Sequence, residues 1–425
     1  MQAVILCGGL GTRLKKIYKN TPKALIKFNK VPNLNKIIDD LFEQGFSKVL
    51  LLTSFKHELI LNAVKKNKFY RKIKIVRDES YIGTGGALVG AKRFLSDNFL
   101  VILGDLFVSF DYKKFFLNCI KNKQKSNIVI HPNIHPIDSD TVSYDSNNKI
   151  INFYLKNKLL IKPNNAIAGI FFMNKQIIKS RYSKKKLDIV HDILLKNKKN
   201  YIYKTIDFIK DYGTLKRISY IKKQLAKGKI NNYKKKKIAV FFDRDGVINK
   251  EVGVINKFNQ FKILKNAIKA IKILNSNNIP CFLISNQAAL ARKKINFKIF
   301  NEIHSKLENS LSTNKAYLDD YSYCPNFGNK KYFRIDFPYF SNYRKPNPGM
   351  LYAFKKKYNL NLKKSYFIGD RDIDILAGKK AGCKTFLVKS SKLKDYKYKI
   401  KPDFFVKDAL IAVNKILKQI WNLKL

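Results

Sequence analysis

Val4-Ile5-Leu6-Cys7-Gly8-Gly9-Leu10-Gly11-Thr12-Arg13-Leu14 opens the chain, and its reading decides the fold. The apolar run Ala3 to Cys7 has the length and composition of a buried strand. The glycines that follow put adaptable backbone at the mouth of a sheet, where N–H groups can approach phosphate oxygens closely. Arg13 adds a planar fork of donors for those oxygens. Lys23, in the pair Pro22-Lys23, adds a point charge able to neutralise a phosphorus centre in transit. A glycine-rich turn alone would be a weak signal. The whole string Gly8-Gly9-x-Gly11-Thr12-Arg13-Leu14 with Pro22-Lys23 behind it is specific.

Outward from this stretch, strand-like and helix-like segments alternate. Strands are expected at Lys48–Thr53, Ile73–Val76, Phe99–Leu103 and Ile167–Met173, and helices at Asn33–Gln44, Lys56–Lys66, Gly85–Phe94 and Leu215–Lys227. Such alternation predicts an α/β domain with a parallel sheet covered by helices on both faces. Gly228 is a stop signal, and the polar segment 229–237, ending in four lysines, reads as a linker. The alternation then restarts. Strands are expected at Ile238–Phe242, Pro280–Ser285, Ser365–Ile368 and Lys384–Val388, with helices at Lys265–Asn275, Asn296–Leu311 and Ile373–Ala381. The fold class is therefore α/β with two doubly wound domains, 1–228 and 238–425, a division that suits 425 residues.

The second domain opens on Phe241-Phe242-Asp243-Arg244-Asp245-Gly246-Val247-Ile248-Asn249. Residues two apart at a strand end point the same way, so Asp243 and Asp245 share one site. One carboxylate can attack phosphorus while the other manages protons. Two acids near a turn alone would suggest only a loop; the constellation described below adds the specificity.

The formal net charge is +56. Either the chain binds nucleic acid or an anionic membrane, or it carries a lysine-rich and asparagine-rich bias spread over every surface. The lysines are interspersed through all segments and no nucleic-acid motif accompanies them, which favours the diffuse bias and no specific nucleic-acid partner. Hydrophobic residues make up 45% of the chain, enough for two cores. Five scattered cysteines argue for a reducing compartment and against a disulfide framework. The N-terminal stretch lacks the pattern of a signal peptide, and no apolar run reaches the roughly 20 residues of a membrane span. The expectation is a cytoplasmic protein without a membrane span.

Residues 1–225 resemble the sugar-phosphate nucleotidyltransferases, which condense a sugar 1-phosphate with a nucleoside triphosphate and release pyrophosphate. Besides the opening string, the resemblance rests on Gly83-Thr84-Gly85-Gly86-Ala87, Gly104-Asp105, Ala168-Gly169 and Asp211-Tyr212-Gly213-Thr214. It implies nucleotide contacts at Gly8, Gly9, Gly11, Thr12, Gly85 and Gly86, catalytic charge from Arg13 and Lys23, and magnesium held by Asp105 and Asp211. Two carboxylates suit magnesium, which takes hard oxygen ligands and keeps several waters. The family often carries a sugar-binding Glu before an Asp; here that stretch reads Lys186-Leu187-Asp188.

Residues 238–410 resemble the haloacid dehalogenase phosphatases. The motifs are Asp243-x-Asp245, Ser285-Asn286-Gln287, Arg344-Lys345-Pro346-Asn347-Pro348-Gly349-Met350 and Gly369-Asp370-Arg371-Asp372-x-Asp374. The resemblance implies Asp243 as nucleophile, Asp245 as general acid and base, and Ser285 and Lys345 as phosphate-binding catalytic groups. Asn286 and Arg344 would be binding residues beside them. Asp243, Asp245 and Asp370 would hold magnesium, with Asp374 a supporting acid. The motifs look most like the branch containing heptose 1,7-bisphosphate 7-phosphatase and histidinol-phosphate phosphatase. Those enzymes usually carry a zinc loop. This chain keeps Cys324 but has Asn326, Ser341 and Tyr343 at the other ligand positions, and one thiolate cannot make a tetrahedral site. No zinc is expected, with the loop held by Phe327, Tyr332, Phe333, Phe337, Tyr339 and Phe340.

The pairing implies a bifunctional enzyme of GDP-heptose synthesis for cell-surface glycans. The second domain would remove the 7-phosphate of heptose 1,7-bisphosphate. The first would couple the resulting heptose 1-phosphate to a nucleotide, with GTP the expected donor. Two alternatives stand: a mannose 1-phosphate guanylyltransferase fused to a different phosphatase, and a basic nucleic-acid-binding protein with vestigial sites.

Overall fold

The computed structural model describes residues 1–9, 14, 17–18, 20–78, 83–156, 162–179, 186–230, 232–326, 342–389 and 399–422. The chain divides into two compact units. One comprises Met1–His131, Val142–Tyr154 and Ala166–Lys234, the other Pro132–Thr141, Leu155–Asn165 and Lys235–Leu425.

In the first unit the strand Gln2–Leu6 lies between two parallel neighbours, Lys48–Thr53 and Asn98–Leu103, and Ile73–Arg77 pairs parallel to Lys48–Thr53. Successive side chains of a strand face opposite ways. Ala3 and Ile5 therefore pack with Leu34, Ile37, Ile38 and Leu41 of the helix Asn33–Glu43. Val4 enters the opposite core with Leu50, Leu88 and Val101. Each such fully buried aliphatic side chain contributes about 1.5–3 kcal/mol. The sheet is not wholly parallel, contrary to the sequence expectation: Ala166–Asn174 runs antiparallel to Asn98–Leu103 and to Ser126–His131. A continuous apolar strand buries both faces in either orientation, so its hydrophobic pattern carries no direction.

The second unit has a six-stranded, all-parallel sheet. Its order is Asp320–Cys324, Cys281–Asn286, Val240–Phe242, Tyr366–Gly369, Lys384–Val388 and Phe404–Val406. Buried Val240, Phe242, Leu283 and Ile368 meet the helices Lys265–Ser276 and Ala409–Asn422 in one core. In both sheets the strand that leads into a motif lies where the chain order reverses. Gln2–Leu6 and Val240–Phe242 each have one flanking strand reached forward on either side, which opens a crevice beyond their carboxyl ends.

All five cysteines are free and buried. No helix among the described residues is long and apolar enough to cross a membrane.

Candidate active sites

Beyond the carboxyl end of Gln2–Leu6 lies a cleft of 340 Å³, lined among others by Gly8, Gly9, Lys23, Thr84, Asp105 and Lys186. A side chain on Gly8 would touch the Cβ of Ser54 at 3.0 Å, whereas Gly9 faces open space. Gly11, Thr12 and Arg13 lie outside the described residues. The Lys23 ammonium stands 3.5 Å from Asp105 Oδ2. Cys7 also lines the cleft, but burial, with the Asp105 charge adding, pushes its thiol up to about 12, so it is a packing group and not a nucleophile.

Asp105 and Asp211 come together through the backbone. The strand Phe208–Asp211 pairs antiparallel with Leu106–Ser109, Asp211 opposite Leu106, and the Tyr212 N–H donates to the Asp105 carbonyl at 3.2 Å. The buried Tyr212 hydroxyl donates to the Gly104 carbonyl at 3.0 Å and accepts from Asn33 Nδ2 at 3.0 Å. Arg217 forms an ion pair with the Asp211 carboxylate. Two half-exposed carboxylates on adjacent strand ends fit a hard divalent cation that retains water.

Gly85 and Gly86, expected at the nucleotide, are buried, and their N–H groups donate to the Leu187 carbonyl at 2.8 and 3.4 Å. Gly83, Thr84 and Ala87 line the cleft instead. Gly83 has φ +80°, and a Cβ there would sit 2.5 Å from the Leu187 oxygen, which explains the glycine by close approach of two backbones. Asp188 is engaged locally: its carboxylate accepts from Thr84 Oγ1 at 3.1 Å and from the N–H groups of Val190 and His191. The cleft residues Ser54, Asp78 and Lys186 carried no role in the sequence reading.

In the second unit Asp243 follows its strand directly and is buried. Lys345 Nζ lies 2.5 Å from Asp243 Oδ1, 2.6 Å from Asp374 Oδ1 and 3.2 Å from the Ile284 carbonyl. Asp243, Asp370 and Asp374 form one cluster with ligand atoms within 4.8 Å of one another. Burial raises the Asp243 carboxyl to about 7 against the pull of Lys345, and burial with the nearby Asp243 and Asp374 charges raises Asp370 to about 9. Burial opposes the charge on Lys345, but the two carboxylates outweigh it and raise its pKa.

Neither oxygen of Asp370 has a hydrogen-bond partner among the described residues. Beside it Gly246, at φ +84°, leaves a space in which a Cβ would lie 2.1 Å from Asp370 Oδ2. Buried carboxylate oxygens without donors, gathered with two further acids, fit a divalent cation. Asp245 stands outside this cluster. Its carboxylate accepts from Arg244 Nη2 at 3.0 and 3.1 Å, Asn249 Nδ2 at 2.9 Å and Gln287 Nε2 at 3.2 Å. Burial alone would raise its pKa, yet Arg244 and these hydrogen bonds bring it below the usual value.

Asn286 and Arg344, expected as binding residues, act on neighbouring backbone. Asn286 exchanges hydrogen bonds with the main chain of Lys345 at 3.0 and 3.1 Å, and Arg344 Nη1 donates to the Asn326 carbonyl at 2.7 Å. The amide thus holds the segment that aims the lysine. Ser285 is buried at the end of Cys281–Asn286 and accepts from Gln287 Nε2 at 2.8 Å. The aromatic residues expected to hold the loop before Asn342 lie outside the described residues.

The family model described as Nucleotidyl transferase matches residues 2–228, and the HAD-hydrolase-like model matches residues 342–411. The chain is 35% identical over 181 residues to the D-glycero-alpha-D-manno-heptose 1-phosphate guanylyltransferase of Campylobacter jejuni, which spans 42% of this chain and 77% of that protein. It is 32% identical over 185 residues to the D-glycero-D-manno-heptose-1,7-bisphosphate 7-phosphatase of Thermosynechococcus vestitus, covering 42% of this chain and 94% of that protein. A D-glycero-alpha-D-manno-heptose-1,7-bisphosphate 7-phosphatase of Photorhabdus laumondii is 33% identical over 151 residues, covering 35% and 81% respectively. The chain belongs to the nucleotidyl transferase family in its first half and to the HAD-like phosphatases in its second, and so joins a transferase to a phosphomonoester hydrolase.

Proposed function

We propose that residues 238–425 remove the 7-phosphate of D-glycero-D-manno-heptose 1,7-bisphosphate and that residues 1–228 transfer GMP from GTP to the heptose 1-phosphate so formed. The observation that carries this reading is one chain holding both a glycine-walled cleft with Lys23 and Asp105 and a buried Asp243–Lys345–Asp374 cluster. The named relatives of the two halves act on a heptose bisphosphate and on a heptose 1-phosphate, so the product of one reaction is the substrate of the other.

In the second unit Asp243 attacks phosphorus, forming an aspartyl-phosphate as the bond to the sugar oxygen breaks. Lys345 orients the attacking carboxylate and balances charge on the phosphoryl oxygens. Asp245, held ionised by Arg244 and its amide donors, takes a proton from the water that hydrolyses the intermediate, and the departing sugar oxygen takes its proton from solvent. In the first unit a phosphate oxygen of the sugar 1-phosphate attacks the α-phosphorus of GTP, and the bond to pyrophosphate breaks. Lys23 supplies positive charge there, and no protein nucleophile is needed. Magnesium would be held by Asp105 and Asp211 in one unit and by Asp243 and Asp370 in the other, where it would supply positive charge to phosphate oxygens.

Incubation of the protein with heptose 1,7-bisphosphate, GTP and magnesium tests the reading. Inorganic phosphate, pyrophosphate and GDP-heptose are expected; absence of both phosphate release and GDP-heptose overturns it. Asp243→Asn should lower phosphate release at least about a thousandfold while leaving nucleotidyl transfer to supplied heptose 1-phosphate intact. Asp105→Asn should do the reverse.

A further inference from the structure

We infer that Gln287 is a positioning residue that presets the Ser285 hydroxyl to donate to bound phosphate and ties that hydroxyl to Asp245. The inference rests on the phosphatase reading of this site.

Gln287 is buried, and its main-chain N–H is fixed on the Cys324 carbonyl at 2.7 Å. Its side-chain amide has two N–H bonds, and both are engaged: Nε2 lies 2.8 Å from Ser285 Oγ and 3.2 Å from Asp245 Oδ2. The amide cannot be turned over, because its carbonyl oxygen would then face the Asp245 carboxylate with no proton between them. Gln287 is thus a donor to both groups.

For Ser285 this settles the hydroxyl. An oxygen that accepts from Gln287 has its own proton left to give, and no acceptor for it is present among the described residues. Phosphate oxygens only accept. A serine whose proton already faces outward need not reorganise when phosphate arrives, the condition under which a buried donor is most effective. For Asp245, Gln287 completes a set of donors that includes Arg244 and Asn249, so the amide links the residue that binds phosphate to the one that moves its proton.

The full-length protein tests this with magnesium present, inorganic phosphate as the probe and its inhibition constant as the readout. Gln287→Leu and Ser285→Ala should each raise that constant roughly tenfold, the effect of losing a hydrogen bond to a charged group. The double variant should exceed Ser285→Ala by no more than about threefold, because Gln287 acts through the hydroxyl that is already gone. Independent effects would multiply to about a hundredfold, and that result, or an unchanged constant for Gln287→Leu, overturns the inference. Gln287→Met keeps the length and loses both donors without adding a charge beside Asp245, so it stands in if the leucine variant does not fold, with the same non-additivity required. Gln287 variants should also lower kcat for phosphate release, through Asp245, while nucleotidyl transfer by the same chain stays within about twofold. Failure of the wild-type protein to release phosphate would instead remove the phosphatase reading itself.

Discussion

Asp370 is the residue whose surroundings most demand a ligand. Both of its oxygens are buried without hydrogen-bond donors, the Arg371 guanidinium stands 4.0 Å from Oδ1, and Asp243 and Asp374 lie close by, sharing Lys345. Buried like charges cost stability unless a cation joins them. Two opposite consequences are expected from Asp370→Asn. In chelator at pH 7 the variant should be more stable than the native chain, by roughly 1–3 kcal/mol, because the native carboxyl, raised to about 9, must take up a proton to be buried and the neutral amide need not. In magnesium the second unit should gain about 2.7 kcal/mol at a concentration a hundred times its dissociation constant in the native chain and little in the variant, whose remaining response belongs to the first unit. Thermal melts with and without magnesium read both effects without recourse to activity. A variant that melts below the native chain in chelator would refute the account of Asp370 as a waiting ligand.

At the level of elements, the first site depends on a short antiparallel pair. Phe208–Asp211 lies along Leu106–Ser109, and Tyr212 bolts the pair to the Gly104-Asp105 turn through its buried hydroxyl. Tyr212→Phe would leave the Gly104 carbonyl and the Asn33 amide without that partner. A cost of about 1–3 kcal/mol is expected, with a raised KM for magnesium–nucleotide as Asp105 and Asp211 lose their fixed spacing. Denaturant melts and steady-state kinetics check it; an unchanged KM would mean that the strand pairing alone suffices. This pair also marks the limit of what the sequence disclosed. Gln2–Leu6, Lys48–Thr53 and Lys384–Val388 were legible because long apolar runs end at glycine or polar residues. Leu106–Ser109 and Phe208–Asp211 are four residues each, too short for a periodic signal, and their pairing is far apart in the chain. The phosphatase acids were legible because charged residues clustered at strand ends are conspicuous. Gln287 stood in the quoted Ser285-Asn286-Gln287 run without a role, since an uncharged amide declares its function only through the partners the fold gives it. Gly85 and Gly86 show a related limit: glycine signals close approach without naming the approaching group, and one group that approaches here is the Leu187 backbone.

For the whole molecule, the decisive quantity is a net charge of +56 on a chain that folds into two compact units. Self-repulsion among so many cations disfavours compact states, while the same field draws anionic substrates inward. Salt therefore acts on stability and on encounter with opposite signs. At 0.15 M the screening length is about 8 Å, against roughly 30 Å at 0.01 M. Raising sodium chloride across that range should raise Tm by roughly 2–4 °C, the shift equivalent to about 1 kcal/mol in units of this size. Over the same range kcat/KM should fall several-fold for both the bisphosphate and the triphosphate. Both substrates must respond, because the lysines are spread through both halves of the sequence. A nucleic-acid-binding protein with vestigial sites would behave otherwise: it would retain tight binding to nucleic acid at physiological salt, and neither turnover would exist to be screened. A Tm that falls as salt is added would show that local ion pairs outweigh the net repulsion, and with it would go the view of this charge as a diffuse field rather than a set of specific contacts.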